Sequence, residues 1–166
     1  MDNPYLKIRA REWTRKLKIP VIMAADNGDN IIVDIERYDT AKNLPLLHGI
    51  LGRMSSDDFK HIQPKDLPRT IAKMAGANIA TPRMQQSVVQ VGKSIYSWPQ
   101  LGTAATLCGT TLAYLARKII TGSKLRSGRY EVNLDSIFEP GYHSKTRIAH
   151  RKHETEKFLK MLGITY

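Results

Sequence analysis

Residues 19–38, IPVIMAADNGDNIIVDIERY, constrain the fold more than any other stretch of the chain. Two β-prone runs flank Asp-Asn-Gly-Asp, and Asn27-Gly28 supplies the positive φ angles that a tight hairpin turn demands. The stretch therefore reads as a β-hairpin. In its second arm Ile32, Asp34 and Glu36 point one way, while Ile31, Val33, Ile35 and Arg37 lean the other. That alternation predicts one packed face and one wet face.

Helical signals surround the hairpin. Asp2 or Asn3 can cap a helix opened by Pro4, where a missing N–H costs nothing. Leu6, Ala10, Trp13 and Leu17 make an apolar stripe along it; Lys7, Arg11, Arg15 and Lys18 make a basic one, with Glu12 as the lone acid. From 40 to 75 the punctuation predicts short helices. Pro45 and Pro68 fit first turns, Ser55, Ser56 and Asp66 are candidate caps, and Gly49 and Gly52 weaken the first segment. Thr81 and Pro82 open a run in which Met84, Val88, Val91, Ile95 and Trp98 recur at helical spacing. Leu101, Ala105, Cys108, Leu112, Leu115 and Ile119 do the same beyond Pro99. A third strand is predicted near 130–138, and a last helix follows, with Phe158, Leu159 and Leu162 apolar and Gly163 as its stop. The fold class expected is α+β: a small antiparallel sheet, hairpin 19–38 plus the strand near 130–138, packed with amphipathic helices that include a helical hairpin over 82–121. Residues 1–166 are expected to form a single domain.

At 166 residues, 42% hydrophobic and 25% charged, the chain has the balance of a globular protein. No apolar run approaches the roughly 20 residues that span a bilayer, and the first residues lack the apolar centre of a secretory signal. The expected setting is the cytoplasm, with no membrane partner. The single cysteine, Cys108, excludes an internal disulfide and a cysteine-based zinc site, and it reads as a packed thiol. Lys and Arg total 26 against 15 Asp and Glu, a formal charge of +11. Such an excess favours nucleic acid, acidic protein or anionic membrane surfaces.

No catalytic, cofactor or metal site emerges. A phosphate-binding Walker loop needs strand, glycine-rich loop and helix in that order; here Gly122 and Gly128 follow a helix and precede a strand. Asp34 and Glu36 could hold Mg²⁺ for nuclease chemistry, but Tyr38 stands where a lysine is wanted. His150, His153 and Glu154 have the wrong order for a zinc protease helix. No G-x-S-x-G nucleophile elbow is present.

Binding is what remains. Candidate anion or interface contacts are Lys7, Arg11, Arg15 and Lys18 on the first helix, Lys124, Arg126 and Arg129 around the loop TGSKLRSGR, and Arg147, Arg151 and Lys152 on the last helix, provided that they converge. Residues 121–130, TGSKLRSGRY, with Ser136 to Phe138 beyond, resemble the signature of neck and tail-completion proteins of tailed bacteriophages. Glu131 stands where that signature commonly has a basic residue. The resemblance implies an α+β subunit, long helices against a small antiparallel sheet, assembled as a ring at the head-to-tail junction. The function expected is a noncatalytic structural protein of the virion, made in the host cytoplasm. Its partners are further copies of itself, other virion proteins and DNA contacted nonspecifically. A nonspecific nucleic-acid-binding protein and a small metal-dependent nuclease are the alternatives.

Overall fold

The computed structural model describes residues 3–41, 43–97 and 99–165. Its architecture is α+β. Helix α1 spans Pro4–Lys16, with the Asn3 side chain accepting the Leu6 N–H and Pro4 in the first turn; Asp2, the other candidate cap, lies outside the described residues. Strands β1, Val21–Asn27, and β2, Asn30–Glu36, form the hairpin, and β3, Gly128–Val132, pairs antiparallel with β2, giving the order β1-β2-β3.

The turn is built differently from the expectation. Gly28 and Asp29 are its two central residues, and Gly28 alone carries the positive φ, +72°, the arrangement of a II′ turn. The flanking asparagines are buried clamps. Asn27 donates Nδ2 to the Ile79 carbonyl and accepts the Thr81 N–H, while Asn30 donates to Asp135 and accepts the Leu134 N–H.

Short helices follow: α2 at Asp58–His61, α3 at Leu67–Ala75 and α4 at Pro82–Val88. Thr81 caps α4 as expected, accepting the Met84 N–H, but the helix expected to continue through Ile95 stops at Val88. Trp98, at the end of that stripe, lies outside the described residues. The helical hairpin over 82–121 is thereby corrected. α4 packs against the last helix, whereas α5, Gly102–Ile120, lies on β1 and β2. Each helix satisfies its apolar face against a different neighbour. The third strand also ends early, at Val132. The Asn133 side chain accepts the Ser136 N–H and the Ser136 hydroxyl donates back to the Asn133 carbonyl, turning the chain into the single-turn helix α6, Asp135–Phe138. Helix α7, Lys145–Met161, is capped by Ser144 and ends before Gly163, at φ +63°.

The sheet is covered on both faces. On one, Ile31, Val33 and Ile35 pack with Ala104 and Leu115 of α5. On the other lie Ile8, Leu47, Phe59 and Met74. A third cluster, Ala72, Ala77, Phe158 and Ile164, joins α3 to α7. Every residue of β2 is buried, so the wet face expected for Ile32, Asp34 and Glu36 does not exist. The helix that covers it is also rotated from the expected stripe. α1 buries Ile8 and Arg11 and leaves Leu6, Trp13 and Leu17 exposed at 44, 49 and 60%.

Candidate functional site

What lies beneath α1 is a cluster of buried charge. Glu36 receives the Arg11 Nε at 2.5 Å, the Leu47 N–H at 2.7 Å and the Tyr38 hydroxyl. Three donors on one carboxylate offset much of its burial cost. Burial and then the Glu36 carboxylate push the Tyr38 phenol well above its ordinary range, so it stays a donor. To reach Glu36, the backbone at Leu47 and His48 takes left-handed φ values of +47° and +56°, a strain of order 1–3 kcal/mol per residue. Two positions earlier in β2, Asp34 accepts Arg129 Nε and Nη2, both at 2.8 Å, and His48 Nε2 lies 3.3 Å from it. Burial opposes ionisation of Asp34, but His48 and Arg129 outweigh it and hold its carboxyl below the usual carboxylate value.

This cluster removes two residues from the proposed contact set. Arg11 and Arg129 are internal counterions and not surface contacts, because the two carboxylates of a fully covered strand each need a fixed cation. It also weakens the nuclease alternative: Asp34 and Glu36 are buried and already hold fixed donors, Arg129 and His48 on one, Arg11, Tyr38 and the Leu47 N–H on the other, which Mg²⁺ would have to displace.

The remaining nominated cations do not form a single patch; Lys7 lies at a groove beside β1, and the others divide between opposite ends of the sheet, about 20 Å apart by strand length. Arg147 and Arg151 stand at the turn end, where they line a polar cleft with Gly28 and Asp29. Arg147 is paired with Glu139 at 2.8 Å, Arg151 stacks 3.8 Å from the Tyr142 ring centroid, and Lys152 approaches Glu156 at 3.9 Å. At the other end lie the start of β1, the end of β2 and the start of β3. Lys18 stands three residues before β1, and Lys124 and Arg126 just before β3. Helix α5 starts beside Asp29, to which Thr103 donates at 2.8 Å, and runs to this same opposite end, delivering Arg117 and Lys118 there. We call this end the basic pole.

Arg15, Lys16, Lys18, Lys124 and Arg126 are exposed at the pole, and neither they nor Arg117 and Lys118 make an ion pair among the described residues. Asp39, which follows β2 at this end, is engaged by both guanidinium arms of Arg37. Arg37 also orders the loop, donating Nη1 to the Ser123 carbonyl and its main-chain N–H to Ser127 Oγ. Two aromatic rings lie close to cations: Trp13 to Arg9 and Lys16, at 5.4 and 5.5 Å, and Tyr114 to Arg117 and Lys118, each at 5.8 Å. Arg117 and Tyr114 were missed from sequence because they lie on the outer face of a helix read only for its apolar stripe.

Two further features bear on function. A groove of about 510 Å³ runs beside β1, walled by α1, α3 and α4 and reached by Lys7. Cys108 is half-buried and donates its thiol to Asp26 at 3.3 Å; burial, then Asp26, pushes the thiol up to about 12. The packed-thiol reading fits this geometry. Among the described residues no three metal-ligating side chains converge, and no helix is long and apolar enough to cross a membrane.

The chain resembles an uncharacterized mycobacterial protein. It is 28% identical over 138 residues to the uncharacterized protein MT1398 of Mycobacterium tuberculosis, an alignment covering 83% of this chain. The chain spans only 19% of that relative's length. No family model matches the chain, and no solved structure does.

Proposed function

We propose that this chain is a noncatalytic binding protein that holds a polyanion, nucleic acid foremost, at the basic pole. One observation carries the reading: unpaired cations from α1, the end of α5 and loop 121–127 meet at one end of the sheet beside the exposed rings of Trp13 and Tyr114. Phosphates are attracted to such a surface whatever the base sequence. The half-exposed rings of Trp13 and Tyr114 offer stacking surface to unpaired bases once their neighbouring cations turn to phosphates. The loop needs no refolding to take part, since Arg37 already ties it down. The test is a salt titration with labelled single-stranded and duplex oligonucleotides. Affinity falls linearly on logarithmic axes as salt rises, and the single strand binds at least as tightly as the duplex. No measurable binding at about 50 mM salt overturns the reading.

A second reading, subunit assembly, is favoured by the exposed apolar side chains Ile120, Ile137 and Phe138, at 84, 69 and 76%. Ile120 immediately precedes the 121–130 stretch that resembles phage neck and tail-completion proteins, and Ile137 and Phe138 belong to its 136–138 continuation. On this reading the protein is a virion component forming a ring at the head-to-tail junction, and neighbouring subunits cover those side chains. Sedimentation at high concentration decides it: a closed multimer supports assembly, and a strict monomer removes it.

A further inference from the structure

We infer that β1 is a docking edge for an extended peptide segment carrying an acidic side chain, which binds by adding a strand to the sheet. β1 is an outer strand. Asn27 faces Asn30 across a two-residue turn, so residues 27, 25, 23 and 21 exchange ladder bonds with β2, and Ile22, Ala24 and Asp26 turn their N–H and C=O groups outward. Among the described residues no hydrogen bond from outside the sheet reaches those three main-chain positions. Proteins usually blunt such an edge with proline, lysine, a bulge or a covering element. Here the register runs unbroken from Val21 to Asn27, and none of those residues is proline or lysine.

The groove beside this edge is apolar, with Met84, Val88 and Phe158 in its lining, and four alanines keep part of its wall low. Ala72, Ala75, Ala77 and Ala80 stand where longer side chains would close it, and its volume of about 510 Å³ lies in the range of ligand sites. A purely apolar ligand would leave the outward N–H and C=O groups of three residues facing hydrocarbon. A peptide strand satisfies them and drops alternate side chains against the apolar walls. The charge preference follows from Lys7. It lines the groove without an ion pair among the described residues, whereas Arg11, also at the groove, is engaged by Glu36, and Asp26, the acid at this edge, turns its carboxylate to the Cys108 thiol of α5. An acidic side chain is the complement of Lys7.

The experiment uses a capped, fluorescein-labelled peptide, Ser-Val-Ala-Glu-Ala-Val-Ser, with two relatives: one with lysine replacing the glutamate, and one N-methylated at alternate amides. Fluorescence anisotropy with the full chain is expected to show binding of the glutamate peptide, at least about tenfold weaker binding of the lysine peptide, and none of the N-methylated one. Lys7→Glu reverses the charge preference. Ala24→Pro removes one outward N–H without touching the ladder to β2 and abolishes binding while the circular dichroism is kept. Should Ala24→Pro fail to fold, amide exchange on the wild-type chain gives the same answer, since the peptide slows exchange at Ile22, Ala24 and Asp26. The inference is overturned if the glutamate peptide does not bind at millimolar concentration or if the N-methylated peptide binds equally well. It is equally overturned if laurate or a second copy of the chain, and not the peptide, protects β1. None of these outcomes depends on nucleic-acid binding at the pole.

Discussion

Arg11 of α1 donates its Nε–H to the Glu36 carboxylate of β2 across 2.5 Å, and both side chains are almost completely excluded from solvent. The pair fixes which face of α1 meets the sheet. Removing one partner leaves the other charged and dry, which costs about 3–5 kcal/mol. Arg11→Ala is expected to lose that much in urea denaturation. The double variant Arg11→Met with Glu36→Leu should recover most of it, because apolar groups of similar size need no counterion. Recovery no better than the single variant would mean that the Leu47 N–H and the Tyr38 hydroxyl, stranded by loss of Glu36, matter more than the ion pair.

Acid should loosen the same region through Asp34. Its carboxyl titrates below the ordinary value of 3.8 in the folded protein, so the unfolded chain takes up its proton first as pH falls. The stability Asp34 contributes is therefore fully present above about pH 4–5 and disappears as pH drops through the lowered folded value. Melting temperatures from pH 7 down to pH 2.5 should fall, and the fall should be shallower in Asp34→Asn, measured from that variant's own lower starting point.

Gly76 ends α3 at φ +89°, and a Cβ placed there would lie 2.9 Å from Ile32 Cδ1. The left-handed backbone favours glycine, and a Cβ would also push the buried Ile32 methyl aside. Gly76→Ala is expected to cost about 1–3 kcal/mol, whereas Gly109→Ala, in open space on α5, should be neutral or slightly stabilising. Equal melting temperatures for the two variants would show that the α3 terminus yields without penalty.

The division of cations between two ends gives a test by charge reversal. Lys124→Glu with Arg126→Glu should weaken oligonucleotide binding at least tenfold and flatten its salt slope by about two to four phosphate contacts. Lys152→Glu, at the opposite end and beside Glu156, should change affinity less than threefold. Equal losses would relocate the binding surface away from the pole.

Cys108 should be slow to alkylate. With its thiol pushed up to about 12 by burial and Asp26, the thiolate fraction at pH 8 is small. Iodoacetamide should react at least about a hundredfold more slowly with the native chain than with the denatured one. Asp26→Asn should narrow that gap, as monitored by mass spectrometry.

Much of the fold was legible locally. The hairpin, the capped starts at Asn3 and Thr81, and the stop at Gly163 follow from residues whose backbone preferences act within a few positions. Helix α5 was legible because its one apolar face meets one sheet face. The far end of the α4 segment was not: helical spacing continues to Ile95, but spacing reports only that a buried face is available and not that a surface exists to bury it. The candidate site was legible as charge and not as geometry. Lys124 and Arg126 stand at the pole, Arg147 and Arg151 at the opposite end, and Arg11 and Arg129 are internal.

By itself, then, the sequence determined the α+β class, the antiparallel hairpin and an excess of positive charge, because these depend on dihedral preference, short-range periodicity and composition. Only the tertiary structure decided which carboxylates would be covered. Asp34 and Glu36 alternate as a solvated strand face would, yet α1 and the 46–49 turn close over them. Whether an acid is wet or buried depends on a helix more than twenty residues away in sequence supplying a cation at the right height, and no local pattern encodes that distance.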